Sequence, residues 1–301
     1  MSDLTPPVCD YEGSDYQQRF WDASDRAYED AAEAIALKRL LPSHGERLLE
    51  IGAGAGRNTP RYLNFKQVVL LDYSKSQLEQ AWERLGDTSR FIYVAADAYR
   101  MPFMPGVFDS ATMIRTLHHM SNPQLALNQV QRVLLKEGIF ILEYANKQHL
   151  KAILRYWAGR QDWNPFDREP VEFARLNFDF HPKAVRGYLE KAGFALENQL
   201  TVSHFRVGLL KRIFPAKCLA GADSLLQGTG KFVQLSPSVF CRCRQTRGMH
   251  DPDDRGGIFA CPVCHTPLEG EEQDLTCRVC EITWPYSGGI YDFRIQKDTE
   301  K

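Results

Sequence analysis

A short apolar strand that ends in three closely spaced glycines is the feature that most constrains the fold of this chain. The segment LLEIGAGAG places Gly52, Gly54 and Gly56 directly after the apolar residues 47–51. Because glycine lacks a Cβ, such a turn lets the backbone approach a ligand closely and opens the helix that follows. Ligands of open α/β sheets bind at the carboxyl ends of the strands. The turn therefore predicts a binding site at the tip of a buried strand.

Apolar segments of strand length recur along the chain and alternate with segments of helical periodicity. Near-continuous apolar strands separated by helices indicate a parallel sheet that is buried on both faces. The 301 residues are enough for one such α/β domain and a small additional module. Further strands are predicted at residues 67–72, 90–96, 107–114, 138–144, 194–203 and 237–244, and helices at 14–41, 75–85, 123–135, 182–192 and 205–227.

Acidic side chains end the two strands that come next in the chain. Asp72 ends the second strand, 20 residues after Gly52, where a carboxylate can accept hydrogen bonds from both ribose hydroxyls. Asp97 ends the third strand, where it can reach the exocyclic amine of an adenine. Each aspartate alone could instead be a turn or helix-capping residue. Their joint placement beside the glycine turn favours a nucleoside site.

The residues around the glycines distinguish between two cofactors that contain adenosine. NAD sites favour the pattern G-x-G-x-x-G, in which the third glycine lets the helix pack closely on the strand. Here Arg57 occupies that third position. Glu50, just before the turn, suits the ammonium group of a bound amino acid and would repel a pyrophosphate. The segment therefore favours S-adenosylmethionine (SAM), with NAD as the rival.

Several longer motifs carry a family resemblance. They read LLEIGAGAG, VVLLDYS, VAADAYRMPF, FDSATMIRTLHHM and RVLLKEGIFILE, and a weaker match continues through FHPKAVRGYLEKAGF. With these motifs, residues 47–146 resemble a class I SAM-dependent methyltransferase domain of the broad type-11 group, which includes the ubiquinone and menaquinone biosynthesis methyltransferases. The resemblance implies a Rossmann-like α/β fold with a mostly parallel seven-stranded sheet whose last strand is antiparallel. It also implies that Ala98 lies near adenine, and Arg115 and Thr116 near the methionine end of SAM.

Candidate residues for chemistry follow from where the methyl group must go. A methyl group leaves a sulfonium by in-line displacement, so a base is required only if the acceptor is not already nucleophilic. His118 and His119, just past the fourth strand, are the candidates for that base. The alternative is structural, with one histidine packing inward and the other capping the next helix. The predicted SAM-binding residues are Glu50, Gly52, Ala53, Gly54, Gly56, Asp72, Tyr73, Asp97, Ala98 and Arg115.

The chain is predicted to have four regions. They are an N-terminal helical lid (1–45), a SAM-dependent methyltransferase domain (46–244), a polar, glycine-rich linker (245–257) and a zinc ribbon (258–301). Within the first region, side chains that could cover SAM, or could instead anchor the helix to the sheet, are those of Tyr11, Tyr16, Trp21 and Arg26.

Two inserts, 147–180 and 205–228, are predicted to cover the substrate. Residues 147–212 carry 12 Lys and Arg against 7 Asp and Glu, mixed with many aromatic residues. One interpretation is a cover over an anionic or lipid-like acceptor, and the other is a solvated face around an aromatic core. The role of the insert in substrate selection is expected from its position beside the acceptor side of the site.

Two C-x-x-C pairs near the C-terminus predict a metal site. They are separated by 12 residues, and four thiolates complete a tetrahedral zinc shell that has no open position. A closed shell implies a structural Zn²⁺. The tail ITWPYSGGIYDF resembles the ending of the small ribbons that activate methyltransferases in trans, with Trp284 and Gly288 as departures, which implies a possible protein partner. The predicted ligands are Cys261, Cys264, Cys277 and Cys280.

Charge and hydropathy narrow the classes of partner. Residues 257–301 carry 8 acidic against 4 basic residues and the whole chain has a net charge of −1, which disfavours nucleic acid. No transmembrane segment and no secretory signal are expected, and the expected location is the cytoplasm. The sequence therefore predicts a SAM-dependent methyltransferase with a small-molecule acceptor. The alternatives are a protein or RNA methyltransferase that uses the ribbon for recognition, and a non-catalytic scaffold that binds SAM or S-adenosylhomocysteine.

Overall fold

The protein is seen in a computed structural model that describes residues 6–13, 26–86, 89–248, 257–270 and 273–295. Helices pack around a central twisted sheet. The helices are α1 (Ala27–Leu40), α2 (Lys75–Leu85), α3 (Pro123–Val133), α4 (Leu150–Trp157), α5 (Pro182–Lys191), α6 (Gly208–Ile213) and α7 (Ala216–Leu226). The strands are β1 (Gly45–Ile51), β2 (Phe65–Asp72), β3 (Phe91–Ala95), β4 (Phe108–Met113), β5 (Leu134–Ala145), β6 (Val171–Ala174), β7 (Asn177–Asp179), β8 (Phe194–Val202), β9 (Ser238–Gln245), β10 (Leu275–Cys277), β11 (Ile282–Trp284), β12 (Tyr286–Ser287) and β13 (Ile290–Asp292).

Within the described residues, nine strands form the central sheet, in the order β12-β13-β3-β2-β1-β4-β5-β9-β8. Strand β1 lies between β2 and β4 and is parallel to both, and β2 is parallel to β3. Strand β9 is antiparallel to β5 and β8. The predicted α/β, Rossmann-like fold with an antiparallel last strand is therefore confirmed. Seven of these strands are the predicted ones, and the C-terminal region adds two more, β12 and β13, at one edge.

The middle strands are apolar because helices cover both faces of the sheet. Residues 68–71 of β2 are all buried, as the near-continuous apolar run predicts. Helix α2 begins after Ser74, whose hydroxyl accepts a hydrogen bond from the Gln77 backbone N–H, 3.3 Å away. Helix α3 begins after Asn122 in the same way and has Pro123 at its first position. The first of these caps sets α2 directly after the end of β2, where Asp72 lies.

The structure adds detail to the predicted regions outside the central sheet. The predicted helix at 205–227 is broken in two at Pro215, because the residue before a proline is disfavoured in the helical region and Phe214 is extended. The insert after β5 contains α4 and the antiparallel pair β6–β7. Helix α1 begins at Ala27, and residues 14–25 of the predicted helix, with Tyr16 and Trp21, lie outside the described residues.

The C-terminal region packs on the main sheet. Strand β13 pairs in parallel with β3, with Ile290 opposite Tyr93, and β10 and β11 form a separate hairpin. The Phe259 ring stacks on Phe103, and both belong to the main hydrophobic core. The sequence left open whether this region docks on its own chain. In this structure it continues the sheet.

None of the helices described here is both long enough and apolar enough to cross a lipid bilayer.

Candidate cofactor cleft and cysteine cluster

An open cleft of about 1000 Å³ lies at the carboxyl ends of β1, β2, β3 and β4. The order of the strands places the glycine turn, Asp72 and Asp97 at adjacent tips of one edge. Apolar side chains such as Leu71 and Ile114 line the cleft beside these polar groups. This mixture of an apolar wall and a few placed polar groups is typical of small-molecule sites.

The glycine turn has a left-handed backbone, and at Gly52 it is also closely packed. Gly52 has φ +70°, and a Cβ there would lie 2.1 Å from the Thr116 hydroxyl. The backbone N–H groups of Gly52 and Ala53 both donate to the Leu71 carbonyl, at 2.8 and 3.1 Å. Gly54 has φ +52° and donates its N–H to Asp72. Glycine at 52 and 54 therefore follows from the left-handed backbone and, at 52, from the contact with Thr116.

The two aspartates are held by backbone donors. One Asp72 oxygen accepts from the Gly54 N–H at 2.7 Å and the other from the Ser74 N–H at 2.9 Å. Asp97 accepts from the Tyr99 N–H at 2.8 Å. Burial raises the pKa of both carboxyls, and these backbone donors oppose the rise. The donors fix the orientation of both carboxyls at the cleft wall.

Eight of the ten predicted cofactor-binding residues line the cleft, and the other two, Glu50 and Gly56, lie outside its lining. Glu50 is buried outside the lining and accepts from the Thr59 hydroxyl at 2.6 Å, while burial raises its pKa to about 7. At Gly56 a Cβ would lie 2.9 Å from Leu85, so its role here is to let α2 pack closely. The eight that line the cleft are Gly52, Ala53, Gly54, Asp72, Tyr73, Asp97, Ala98 and Arg115.

Arg115 lines the cleft, but its guanidinium binds a carboxylate of α1. Its Nε donates to Glu33 at 2.7 Å, and Arg57 donates to the same carboxylate at 2.9 Å. Glu33 is fully buried, which alone would raise its pKa, but the two guanidinium groups outweigh burial and lower the pKa to about 2. The sequence predicted that this segment is helical but gave Glu33 no role. The ion pairs show that α1 is bound to the rim of the cleft.

The two candidate histidines have different positions. His119 lines the cleft, and its Nδ1 lies 2.9 Å from the Leu176 carbonyl, which can only accept. The proton is therefore on Nδ1, and Nε2, 3.1 Å away, accepts from the Tyr11 hydroxyl. Burial lowers the pKa of His119 below its ordinary value, so the ring is neutral near pH 7. His118 lies outside the cleft lining.

The N-terminal residues 6–13 form one wall of the cleft. Val8, Cys9 and Tyr11 all line it, and of these the sequence singled out only Tyr11. The Glu12 carboxylate accepts from the backbone N–H groups of Lys75 and Ser76 at the start of α2. It also accepts from Arg294, at 3.0 Å, which follows β13. Glu12 comes from a segment that is remote in sequence from α2, so no local sequence pattern predicts that it contacts the start of this helix.

The four predicted zinc ligands are close together. Their Sγ atoms all lie within 4.8 Å of one another, with Cys264 and Cys277 3.5 Å apart and Cys261 and Cys280 4.0 Å apart. In a tetrahedral site with metal–sulfur distances of ~2.3 Å, the sulfur atoms lie about 3.8 Å from one another. The cluster therefore fits a four-coordinate zinc ion.

The C-terminal region that contains the four cysteines, residues 257–270 and 273–295, is called here the cysteine module, and it contacts the chain beside Asp97 of the cleft. The Phe293 N–H donates to the Ala95 carbonyl at 2.8 Å, two residues before Asp97. Further along the loop that follows β3, the Met104 N–H donates to the Ile258 carbonyl at 2.9 Å, and the Ala260 N–H donates to the Pro102 carbonyl at 3.0 Å. The module therefore contacts both the end of β3 and the loop that follows it.

Comparison with known proteins agrees with this geometry. The sequence model of a family described as a methyltransferase domain matches residues 49–142. A demethylmenaquinone methyltransferase from Clavibacter sepedonicus is 30% identical over 156 residues, which cover 51% of this chain and 55% of that protein. The O-methyltransferase resE from Aspergillus sclerotiorum is 31% identical over 125 residues, which cover 38% of this chain and 47% of that protein.

A solved structure of a SAM-dependent methyltransferase has a similar fold. The crystal structure of a SAM-dependent methyltransferase from Mesorhizobium loti matches with a TM-score of 0.51 at 17% identity, covering 72% of this chain and 100% of that one. The chain spans about half the length of the curated relatives it matches. Residues 49–142 are therefore similar to a methyltransferase domain, and the fold of the chain is similar to that of the Mesorhizobium loti structure.

Proposed function

We propose that this protein is a SAM-dependent methyltransferase that acts on a small molecule. The observation that carries the proposal is the cleft itself, in which Gly52, Asp72 and Asp97 meet at three adjacent strand tips. The two carboxylates suit the ribose hydroxyls and the exocyclic amine of adenine. The tight glycine turn leaves room for the amino-acid part of SAM. The Clavibacter sepedonicus relative is, by its name, a methyltransferase of demethylmenaquinone, which is a small molecule.

Binding of S-adenosylhomocysteine, measured by titration calorimetry, tests the cofactor assignment. We expect the wild-type protein to bind it and not NAD. Asp72→Ala should weaken binding by about tenfold or more, because each charge-assisted hydrogen bond to a ribose hydroxyl contributes about 1.5–3 kcal/mol. Asp109→Ala is the matched control, since Asp109 ends no strand at the cleft and receives the Glu46 and Arg47 backbone N–H groups instead. Unchanged affinity in Asp72→Ala would contradict the assignment.

We further propose that His119 removes the proton from the substrate hydroxyl group that receives the methyl group. Its Nε2 lone pair faces the cleft and is occupied by the Tyr11 hydroxyl, which takes the place that a substrate hydroxyl would have. The Leu176 carbonyl, in the turn between β6 and β7, orients the ring. A neutral imidazole in this tautomer can remove a proton as the oxygen attacks the methyl group of SAM.

Transfer of a labelled methyl group from SAM identifies the class of molecule that accepts it. Protein incubated with radiolabelled SAM and a fractionated lysate should place the label in the small-molecule or lipid fraction. Label in protein or RNA would favour the alternative in which the ribbon recognises a macromolecule. S-adenosylhomocysteine binding without transfer to any fraction would favour a non-catalytic scaffold.

The cysteine cluster is proposed to hold one structural Zn²⁺ through Cys261, Cys264, Cys277 and Cys280. Four thiolates leave no position for substrate, so the ion would hold the module together and would take no part in the reaction. The cytoplasmic location and a protein partner for this module remain predictions. Elemental analysis of purified protein should find close to one zinc per chain.

A further inference from the structure

The region between β8 and β9 exposes large apolar side chains on several elements. Helix α6 has no buried residue, and Leu209 and Ile213 on it are 66% and 60% exposed. Beyond α7, Phe232 is 89% exposed. A cluster of large exposed apolar side chains marks an interaction surface more often than a single exposed residue does. We call residues 204–236 together with α4 the basic apolar face.

The charges on this face have one sign. Between residues 204 and 236 the only acid is Asp223, which is buried and bound to His204 and Tyr28. The exposed charges that this segment contributes are therefore all positive. Arg206 and Lys211 pair with the buried Glu29 of α1, at 3.6 and 3.1 Å. The other basic residues of the segment, all exposed, are Arg212, Lys217 and Lys231.

Helix α4 extends the face. The Leu150 N–H donates to the Leu235 carbonyl at 2.9 Å, so the start of α4 adjoins the loop before β9. Leu154 and Trp157 are exposed on this helix, along with Lys151 and Arg155. After burial, the nearby charges of Lys151, Arg155 and Arg206 lower the pKa of His149 to about 4, which places Arg206 near this helix. Apolar side chains and cations are therefore mixed on neighbouring elements.

We propose that the basic apolar face docks on the surface of an anionic lipid bilayer. Apolar side chains such as Leu209 and Phe232 would enter the boundary between headgroups and acyl chains, and the cations would meet anionic headgroups. Charge complementarity selects this occupant over a second copy of the chain. In a two-fold interface the same face would meet itself, which would bring its cations together without acidic partners.

Flotation with vesicles of stated composition tests the docking. We expect the full-length protein to float with vesicles of phosphatidylcholine containing about one-third phosphatidylglycerol, more weakly with phosphatidylcholine alone, and less as salt screens the charges. Leu209→Ser combined with Phe232→Ser should lower the partition coefficient by about tenfold or more. Arg212→Glu combined with Lys217→Glu should lower binding to the anionic vesicles only.

Matched substitutions outside the face serve as controls. Leu63 is 63% exposed, about as much as Leu209, and Leu63→Ser should leave flotation unchanged. Lys191→Glu, at the end of α5, is the control for charge. All variants should keep S-adenosylhomocysteine binding, so failure of docking is distinct from failure of the proposed methyltransferase activity, which docking does not require.

Several outcomes would overturn the proposal. These are no flotation with the anionic vesicles, equal losses in Leu63→Ser and in the Leu209 and Phe232 variant, or insensitivity to the charge reversals. A dimer in sedimentation velocity that the Leu209 and Phe232 substitutions dissociate, without vesicle binding, would assign the face to self-association instead.

Discussion

At the scale of single residues, burial and neighbours give ordinary side chains unusual protonation states. Glu33 stays ionised in a fully buried position because Arg57 and Arg115 surround it. His119 stays neutral because its surroundings disfavour the charged ring. The sequence placed His119 near the site, but it carried no signal that Glu33 on α1 would bind Arg115. Such a pairing depends on how the helix packs.

His119 is predicted to make the reaction depend on pH. Burial lowers the pKa of His119 below its ordinary value of 6.5, so the ring is neutral at pH 7. The rate should therefore fall only when the pH drops below 6.5. With the acceptor identified by label transfer, His119→Gln should lower kcat by about 10²-fold or more and leave S-adenosylhomocysteine affinity unchanged. His118→Gln, at the neighbouring position outside the cleft lining, is the control. Equal kcat values for His119→Gln and wild type would contradict the role.

Glu33→Gln is predicted to destabilise the fold by about 3 kcal/mol, because it leaves two guanidinium groups without their buried charge partner. The folded pKa of Glu33 is about 2, below its ordinary 4.5. Its contribution is therefore fully present above pH 4.5 and is lost as the pH falls toward 2. Urea unfolding at pH 7 and pH 3 measures both effects. The difference in unfolding free energy between wild type and variant should be smaller at pH 3.

At the scale of elements, remote segments complete the site that the strand tips begin. Residues 6–13 form a wall of the cleft, and Glu12 joins this wall to the start of α2 and to Arg294 after β13. The turn between β6 and β7 orients His119 through Leu176. The alternation of strands and helices was predictable because each element carries its own hydrophobic period. The contacts among remote loops were not, because no local pattern encodes them.

Arg294→Ala is predicted to loosen the N-terminal wall of the cleft. Its guanidinium bonds to Asp292 and Glu12 would be lost, so amide exchange in residues 6–13 should become faster. S-adenosylhomocysteine affinity should fall several-fold, since Val8, Cys9 and Tyr11 would be less often in place. Arg278→Ala, at an exposed position in the same module, is the control. Faster exchange in both variants alike would rule out this link.

At the scale of the whole molecule, the cysteine module and the methyltransferase domain share one sheet and one core. Strand β13 continues the sheet beside β3, and Phe259, Trp284 and Phe293 belong to the same hydrophobic cluster as β4 and β5. The sequence suggested a separate module after a linker, since its cysteine spacing and composition change abruptly. The packing joins the two, so we expect them to unfold together.

Removal of zinc is predicted to affect the whole protein. A chelator, or Cys261→Ser, should lower the Tm of the single main unfolding transition and weaken S-adenosylhomocysteine binding, because β13 supports the strand that ends before Asp97. Cys218→Ser, at an exposed cysteine outside the cluster, should change neither quantity. A separate, low-temperature transition with unchanged cofactor affinity would show instead that the module is independent.

The sequence by itself determined the α/β architecture, the glycine turn with its two aspartates, and the four clustered cysteines. Each of these rests on short-range patterns, namely hydrophobic period, the conformational freedom of glycine, and ligand spacing. Only the tertiary structure decided that Glu50 faces Thr59, that Glu33 holds Arg115, and that β13 extends the main sheet. These contacts join residues that are distant in the chain or differ only in side-chain direction, and their energies depend on burial that exists only after folding.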